Sequence, residues 1–249
     1  MGTSTARRGP VGRGWRAAKI TATRYLSPEA PGAVRAQEVA ARYVAALTET
    51  ATKGGGDIMG AFALTRKAAQ NLGAFLARAG QQGWPKALKD RHLAHLAPEP
   101  PETAAAPLAG ALVGEAGGLE ASVAAPALAS CLLEYWLEGK SSPPTFSAVA
   151  SEKPIKSPEQ IVRQFLARVL EYRLAFDLGE SLEAGASGWR SFDQGLTQIR
   201  AVMDQALAGA SPGPAAPREE SHWEGLPGWL WVTRELEALL QRLKGSHAP

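Results

Sequence analysis

The sequence predicts an all-α protein: a helical bundle in two halves, preceded by a flexible basic N-terminal arm. Three observations carry that reading. The chain is 45% apolar, with Ala and Leu abundant and Val, Ile, Phe and Tyr sparse. The first pair favours helices, the second strands. Apolar residues also recur at three- and four-residue spacing, as one buried helical face demands, and no alternating apolar and polar run is long enough for a strand.

Residues 1–14 are small, polar and broken by Gly and Pro. Such a segment cannot bury enough surface to offset its ordering entropy, so a flexible arm is expected. Trp15 to Leu26 predicts a short basic helix, completing an arm-and-helix segment over residues 1–27. The first helical half, 28–140, opens with a helix over about 31–51 carrying Val39, Tyr43 and Leu47. Gly54-Gly55-Gly56 stops it, and Asp57 is a candidate N-cap for the next helix, which places Ile58, Phe62, Thr65, Ala69, Leu72 and Leu76 on one face and ends near Gly80. A shorter helix is expected over 85–96, then a Pro/Glu/Ala linker over 97–107. Another helix follows over 119–137, with Pro126 as a kink or break.

Residues 141–156, rich in Ser, Pro and Lys, read as the linker between the halves. The second half, 157–245, opens on Ser157-Pro158-Glu159-Gln160: a Ser N-cap, Pro at the first helical position and Gln at the third form a capping box. Its helix carries Val162, Phe165, Leu166, Val169, Tyr172 and Phe176. The next, over 187–208, places Trp189, Phe192, Leu196, Ile199, Met203 and Leu207 on one stripe, with Phe165 and Phe192 both expected in the core. A Pro/Ala/Gly linker over 211–217 leads to a last helix over 227–244, with Trp229, Val232, Leu236, Leu239 and Leu243 facing inward.

The net charge of +3 conceals an asymmetry. Arg7, Arg8, Arg13, Arg16, Lys19 and Arg24 give residues 1–28 a charge of +6 with no acid, leaving −3 for the remainder. The chain is therefore a basic arm on a mildly acidic body. A single cysteine, Cys131 in an apolar stretch, excludes an internal disulfide framework and fits a buried thiol in a reducing, cytoplasmic compartment. No apolar stretch approaches the ~20 residues that a membrane-spanning helix needs. Arg7-Arg8 is followed by no apolar export region, and Ala6 stands where a myristoylation signal requires Ser or Thr.

Candidate chemistry is thin. Lys53-Gly54-Gly55-Gly56-Asp57 lacks both the spacing and the preceding strand of a phosphate loop, and reads as a helix break. His92 and His95 lie three apart with no further ligand at matching spacing, so no metal site is predicted. Asp177, Glu180 and Glu183 read as a solvated acidic face. Among the C-terminal tryptophans, Trp229 is expected in the core, while Trp223 and Trp231 are candidate interface residues. No Ser-His-Asp order, paired-carboxylate motif or nucleotide fingerprint occurs. No catalytic residue and no resident cofactor is therefore assigned, and the chain is expected to act by being bound rather than as an enzyme.

Met1-Gly2-Thr3-Ser4-Thr5 with Gly9-Pro10 soon after, continuing to Tyr43, the Gly54-Gly55-Gly56 turn and the small-residue helix beyond it, resembles the QatB family of the Qat anti-phage defence islands. The likeness is best in the N-terminal third. One departure is Val11-Gly12-Arg13-Gly14-Trp15-Arg16, where members with this opening often carry a Pro-rich stretch ending in Trp. The resemblance implies a defence-complex subunit whose partners are a QueC-like enzyme of deazaguanine chemistry, an ATPase and a TatD-like nuclease. It also implies that Gly2, exposed by removal of Met1, accepts a deazaguanine from the QueC-like enzyme, with Thr3, Ser4, Arg7 and Arg8 recognised alongside it. The alternative from the residues themselves is a helical nucleic-acid-binding or scaffold protein using the basic arm, since Arg and Lys arms bind phosphates in a salt-dependent way.

Overall fold

A computed structural model describes residues 10–29, 32–115, 117–137, 156–208 and 215–245. Every regular element among them is helical, so the fold class is all-α as the composition predicts. In chain order the helices are α1 (Arg13–Leu26), α2 (Ala36–Lys53), α3 (Ala63–Gln82), α4 (Trp84–Asp90), α5 (Pro101–Val113), α6 (Leu119–Leu137), α7 (Pro158–Gly185), α8 (Trp189–Ala208), α9 (Glu220–Glu224) and α10 (Leu226–Gly245), with short 3-10 turns at Gly60–Phe62 and Ala94–Leu96. The 141–156 linker falls almost wholly outside the described residues.

Two compact units form from segments distant in sequence. One comprises Met1–Ile58, Arg173–Met203 and Leu240–Pro249, the other Met59–Tyr172 and Asp204–Leu239.

In the second unit α3 is the hub, touching α4, α5, α6 and α9. Its interior is rich in small residues, and Ala68, Ala69, Gly73, Ala74 and Ala77 are all buried. Small side chains let several helices approach one axis closely, while Leu72, Phe75 and Leu76 supply the apolar bulk. Gly73 is needed outright: a Cβ there would overlap the indole of Trp223. Gly228 repeats the constraint, because its Cβ would overlap the Trp223 backbone. Between these glycines Trp223 is 0% exposed and meets Trp231 edge to face at 5.2 Å. Farther along, Phe75, Trp84 and Trp136 form a second chain of edge-on rings at 5.3 and 5.7 Å.

Several expected boundaries hold in atomic detail. The Ser157 backbone N–H donates to Gln160 Oε1 at 2.9 Å, the reciprocal half of the capping box. At the end of α2 the Gly56 N–H reaches the Ala51 oxygen and the Gly55 N–H the Thr52 oxygen, both at 3.1 Å. Gly55 takes φ +74, so the glycines close a Schellman motif rather than a phosphate cradle. The Cys131 thiol is buried against the Ile161 carbonyl.

Other expectations are corrected. Residues 101–107 of the expected 97–107 linker are the start of α5, with Pro101 at N1, where its missing N–H is no loss. Pro107 and Pro126 stay inside continuous helices because both are exposed, and solvent can receive the carbonyls their rings displace. Along α7 the buried ladder after Val169 runs Leu170, Leu174, Leu178 and Leu182. Phe176 lies off it and is 39% exposed. Trp189 is 77% exposed and Phe192 half-buried beneath it, since the buried face of α8 is Gly195, Ile199, Val202 and Met203. Phe165, by contrast, is in the core.

Candidate functional site

The segment that both functional readings single out is the N-terminal arm and its root. Gly2, Thr3, Ser4, Arg7 and Arg8 lie outside the described residues; the root, from Pro10 onward, does not.

Helix α1 buries Trp15, Ala18, Thr21, Ala22 and Tyr25, one face at helical spacing. The Trp15 indole N–H donates to Thr50 Oγ1 at 2.7 Å, and its ring meets Tyr43 edge to face at 5.8 Å. Close approach to α2 is possible because residue 14 is Gly, where a Cβ would press on Glu49 and the Ala46 backbone. The other end of α1 is held by α7 and α8. The Thr23 hydroxyl lies 3.0 Å from the Ser181 carbonyl oxygen. The Tyr25 hydroxyl is shared between the Gly195 oxygen at 3.1 Å and Gln198 Oε1 at 2.7 Å. Burial pushes the Tyr25 phenol up to about 12.

Beneath this helix sits a buried polar relay. The Tyr43 hydroxyl donates to Asp177 Oδ2 at 3.0 Å, and Arg173 Nε donates to the same oxygen at 3.1 Å. Asp177, at 8% exposure, is therefore not part of a solvated acidic face. Burial raises its carboxyl above the ordinary 3.8, against the opposing pull of Arg173 and the Tyr43 hydroxyl. Burial, then the nearby carboxylate, raises Tyr43 as well. Since the folded pKa of Asp177 lies above its unfolded value, its contribution is full below about pH 3.8 and lost as pH rises through the raised value. Asp177→Asn should thus gain on the native chain as pH rises above about 3.8. Urea midpoints measured across that rise check this, and parallel curves would contradict it.

The opposite face of α1 is cationic. Arg13, Arg16 and Arg24 are exposed, and Arg13, Arg16 and Lys19 line a cleft of about 680 Å³ together with Val11 and Ile20. No acid lies between residues 10 and 28. Glu49, the carboxylate near Arg13, is drawn down chiefly by its hydrogen bond to Lys53 and further by the charges of Lys53 and Arg13, so it stays ionised at the Arg13 end of that face.

The remaining sequence candidates fall elsewhere. Trp223 and Trp231, expected to offer an interface, are instead buried, at 0% and 3% exposure. Trp229, expected in the core, is half-buried and lies 4.3 Å beneath the Arg66 guanidinium. The buried face of α10 takes in Trp231, Glu235 and Leu240 beside the expected Val232, Leu236, Leu239 and Leu243, so the predicted stripe holds except at Trp229. Glu235 is admitted because Arg163 pairs with both its oxygens at 2.9 and 3.0 Å. His92 and His95 are exposed, and among the described residues no group of three or more His, Cys, Asp or Glu is placed to hold a metal ion.

A cluster that sequence reasoning missed surrounds Arg168. Its guanidinium, 4% exposed, bonds Glu134 at 3.3 Å, Glu171 at 3.2 Å and Asp204 at 3.1 Å. The visible signal is an Arg inside the apolar run Phe165-Leu166-Ala167-Arg168-Val169-Leu170.

Against protein-family models, residues 54–210 match that of the Qat anti-phage system associated protein QatB. The chain belongs to the QatB family. The match spans well over half of the sequence and begins at Gly54, so it rests on α3 to α8 rather than on the Met1–Thr5 opening where the resemblance was strongest. QatB membership makes this chain a component of an anti-phage defence system. No curated protein and no solved structure matches it. No helix among the described residues is long and apolar enough to cross a membrane.

Proposed function

We propose that this QatB-family chain is a non-catalytic, cytoplasmic subunit of its defence complex, presenting Gly2 as the acceptor for a deazaguanine transferred by a QueC-like partner. An ATPase and a TatD-like nuclease of the same island complete its set of partners. The observation that carries the reading is the anchored root: α1 is pinned at both ends, and the acid-free arm continues from it. Seven residues separate Gly2 from Pro10, and the eight steps between them reach at most about 29 Å at full extension. That suffices to enter a partner's cleft while the body docks outside it.

The chemistry suits an N-terminal glycine. Removal of Met1 leaves an unhindered α-amine with a pKa near 7.7–8.0, whereas Lys stays near 10.4, so an appreciable fraction is neutral at cellular pH. Its nitrogen attacks an activated carboxyl carbon on the deazaguanine. A C–N bond forms, the activating group departs with the carboxyl oxygen, and the amine releases a proton. Gly2, Thr3 and Ser4 add little bulk near the reacting atoms, and Arg7 and Arg8 steer the arm toward an acidic mouth.

Intact-mass spectrometry after co-expression with the neighbouring genes tests this. The expected product lacks Met1 and carries one deazaguanine in amide linkage at Gly2. An unmodified terminus with defence intact, or full defence from Gly2→Trp, overturns the reading.

A further inference from the structure

Two features of the first unit have no part in Gly2 chemistry. One is the exposed face of α1. Arg13, Arg16, Ile20 and Arg24 are all exposed, and at 100° per residue they fall within one third of the helix circumference, opposite Trp15, Ala18, Ala22 and Tyr25. The row from Arg13 to Arg24 runs about 16 Å along the axis. The other is an aromatic step at the start of α8. Trp189, 77% exposed, stacks on Phe192 with centroids 5.7 Å apart and planes at 28°. Its outer face is open, in a surround of Ser187, Gly188, Arg190, Ser191 and Asp193.

The helices that carry the two features are clamped to each other. Gly195 lies against Leu26, where a Cβ would overlap the leucine side chain, and Tyr25 is bonded to Gly195 and Gln198. Trp189 is six residues, about 9 Å of helix rise, from that clamp. The row of guanidinium groups thus ends one residue from Tyr25, on a helix bonded to the one that carries the solvent-facing indole.

We propose that this surface binds single-stranded nucleic acid, with Arg13, Arg16 and Arg24 on the phosphates and Trp189 stacking on a base. Guanidinium groups match phosphate geometry through paired donors. An exposed indole stacks on any base, which gives affinity without sequence preference. Val11 and Ile20, set among the cations of the cleft, give sugars and bases apolar ground. An acidic protein partner would use the arginines but has no use for an open, pre-stacked ring. A duplex offers phosphates but no unstacked base.

Fluorescence anisotropy with the unmodified full-length chain tests the proposal, using labelled 15-nucleotide oligo-dT, the matching duplex and poly-glutamate at several salt concentrations. Expected is binding to oligo-dT that weakens with salt and is at least tenfold tighter than to duplex. The variant R13Q/R16Q/R24Q should lose about 2 from the slope of log affinity against log salt, at about 0.7 per phosphate on single strands. Trp189→Ala should weaken binding roughly tenfold with the slope unchanged. Circular dichroism of each variant matching the native chain keeps the comparison valid. No binding at low salt, indifference to either variant, or equal affinity for duplex or poly-glutamate each overturns it. None of these readouts depends on whether Gly2 is modified.

Discussion

Trp223→Ala will lower the stability of the chain by about 3–5 kcal/mol, the range for removing a large buried aromatic side chain. The ring is fully buried against Gly73 and meets Trp231 edge to face at 5.2 Å, while Gly228 packs on the Trp223 backbone. Neither glycine can extend to fill the space it leaves. Trp223→Phe should cost much less, because the indole Nε1–H finds no acceptor among the described residues and its loss relieves a buried unsatisfied donor. Gly73→Ala attacks the same joint from the other side, forcing the indole to move at a cost of about 1–3 kcal/mol. Urea denaturation of the three variants checks the set. A loss below about 1 kcal/mol for Trp223→Ala would mean that the ring is not buried between these helices.

Arg168→Met will have the next largest effect, about 2–4 kcal/mol. Removing the cation leaves Glu134, Glu171 and Asp204 around a site that was 4% exposed, and breaking a buried ion pair from one side typically costs about 3–5 kcal/mol. The lower range is expected because Glu134 and Asp204 remain 32% and 46% exposed and keep part of their hydration. Mutual repulsion of the carboxylates is screened by salt. Raising sodium chloride from about 0.05 to 0.5 M should therefore recover stability in the variant more than in the native chain. Equal responses to salt would show that the loss is one of packing rather than charge.

The parts of the fold that were legible in sequence are those set by local chemistry. Ser157 and Gln160 marked a helix start, and the glycines after Lys53 marked an end, because caps and left-handed turns are decided by a few adjacent residues. Helical periodicity placed most elements but not their exact faces. On α10 a single apolar stripe could be drawn through Trp229 or through Trp231, and only the tertiary partners of that helix choose between them. Helix α5 was hidden by its prolines, whose effect depends on where they sit: one opens the helix and the other faces solvent. The cluster around Arg168 required knowing that Glu134 and Asp204, more than thirty residues away on either side, converge on it. At the candidate site the charge asymmetry was plain from composition. The anchoring of α1 was not, since Trp15 and Tyr25 are clamped by residues far along the chain.

That clamp has a consequence in time. Tyr25 is bonded to a residue 170 positions later, and Thr23 to one 158 positions later. Contacts this remote form only after the intervening chain exists and its loop-closure entropy is met. At about 5–20 residues per second, the seat for α1 is synthesised roughly 9–34 s after α1 itself. Throughout that interval α1 can rest on α2 alone, through Trp15 against Tyr43 and Thr50. The mount that holds both ends of α1 is therefore completed last, after the contact with α2 that holds its first end.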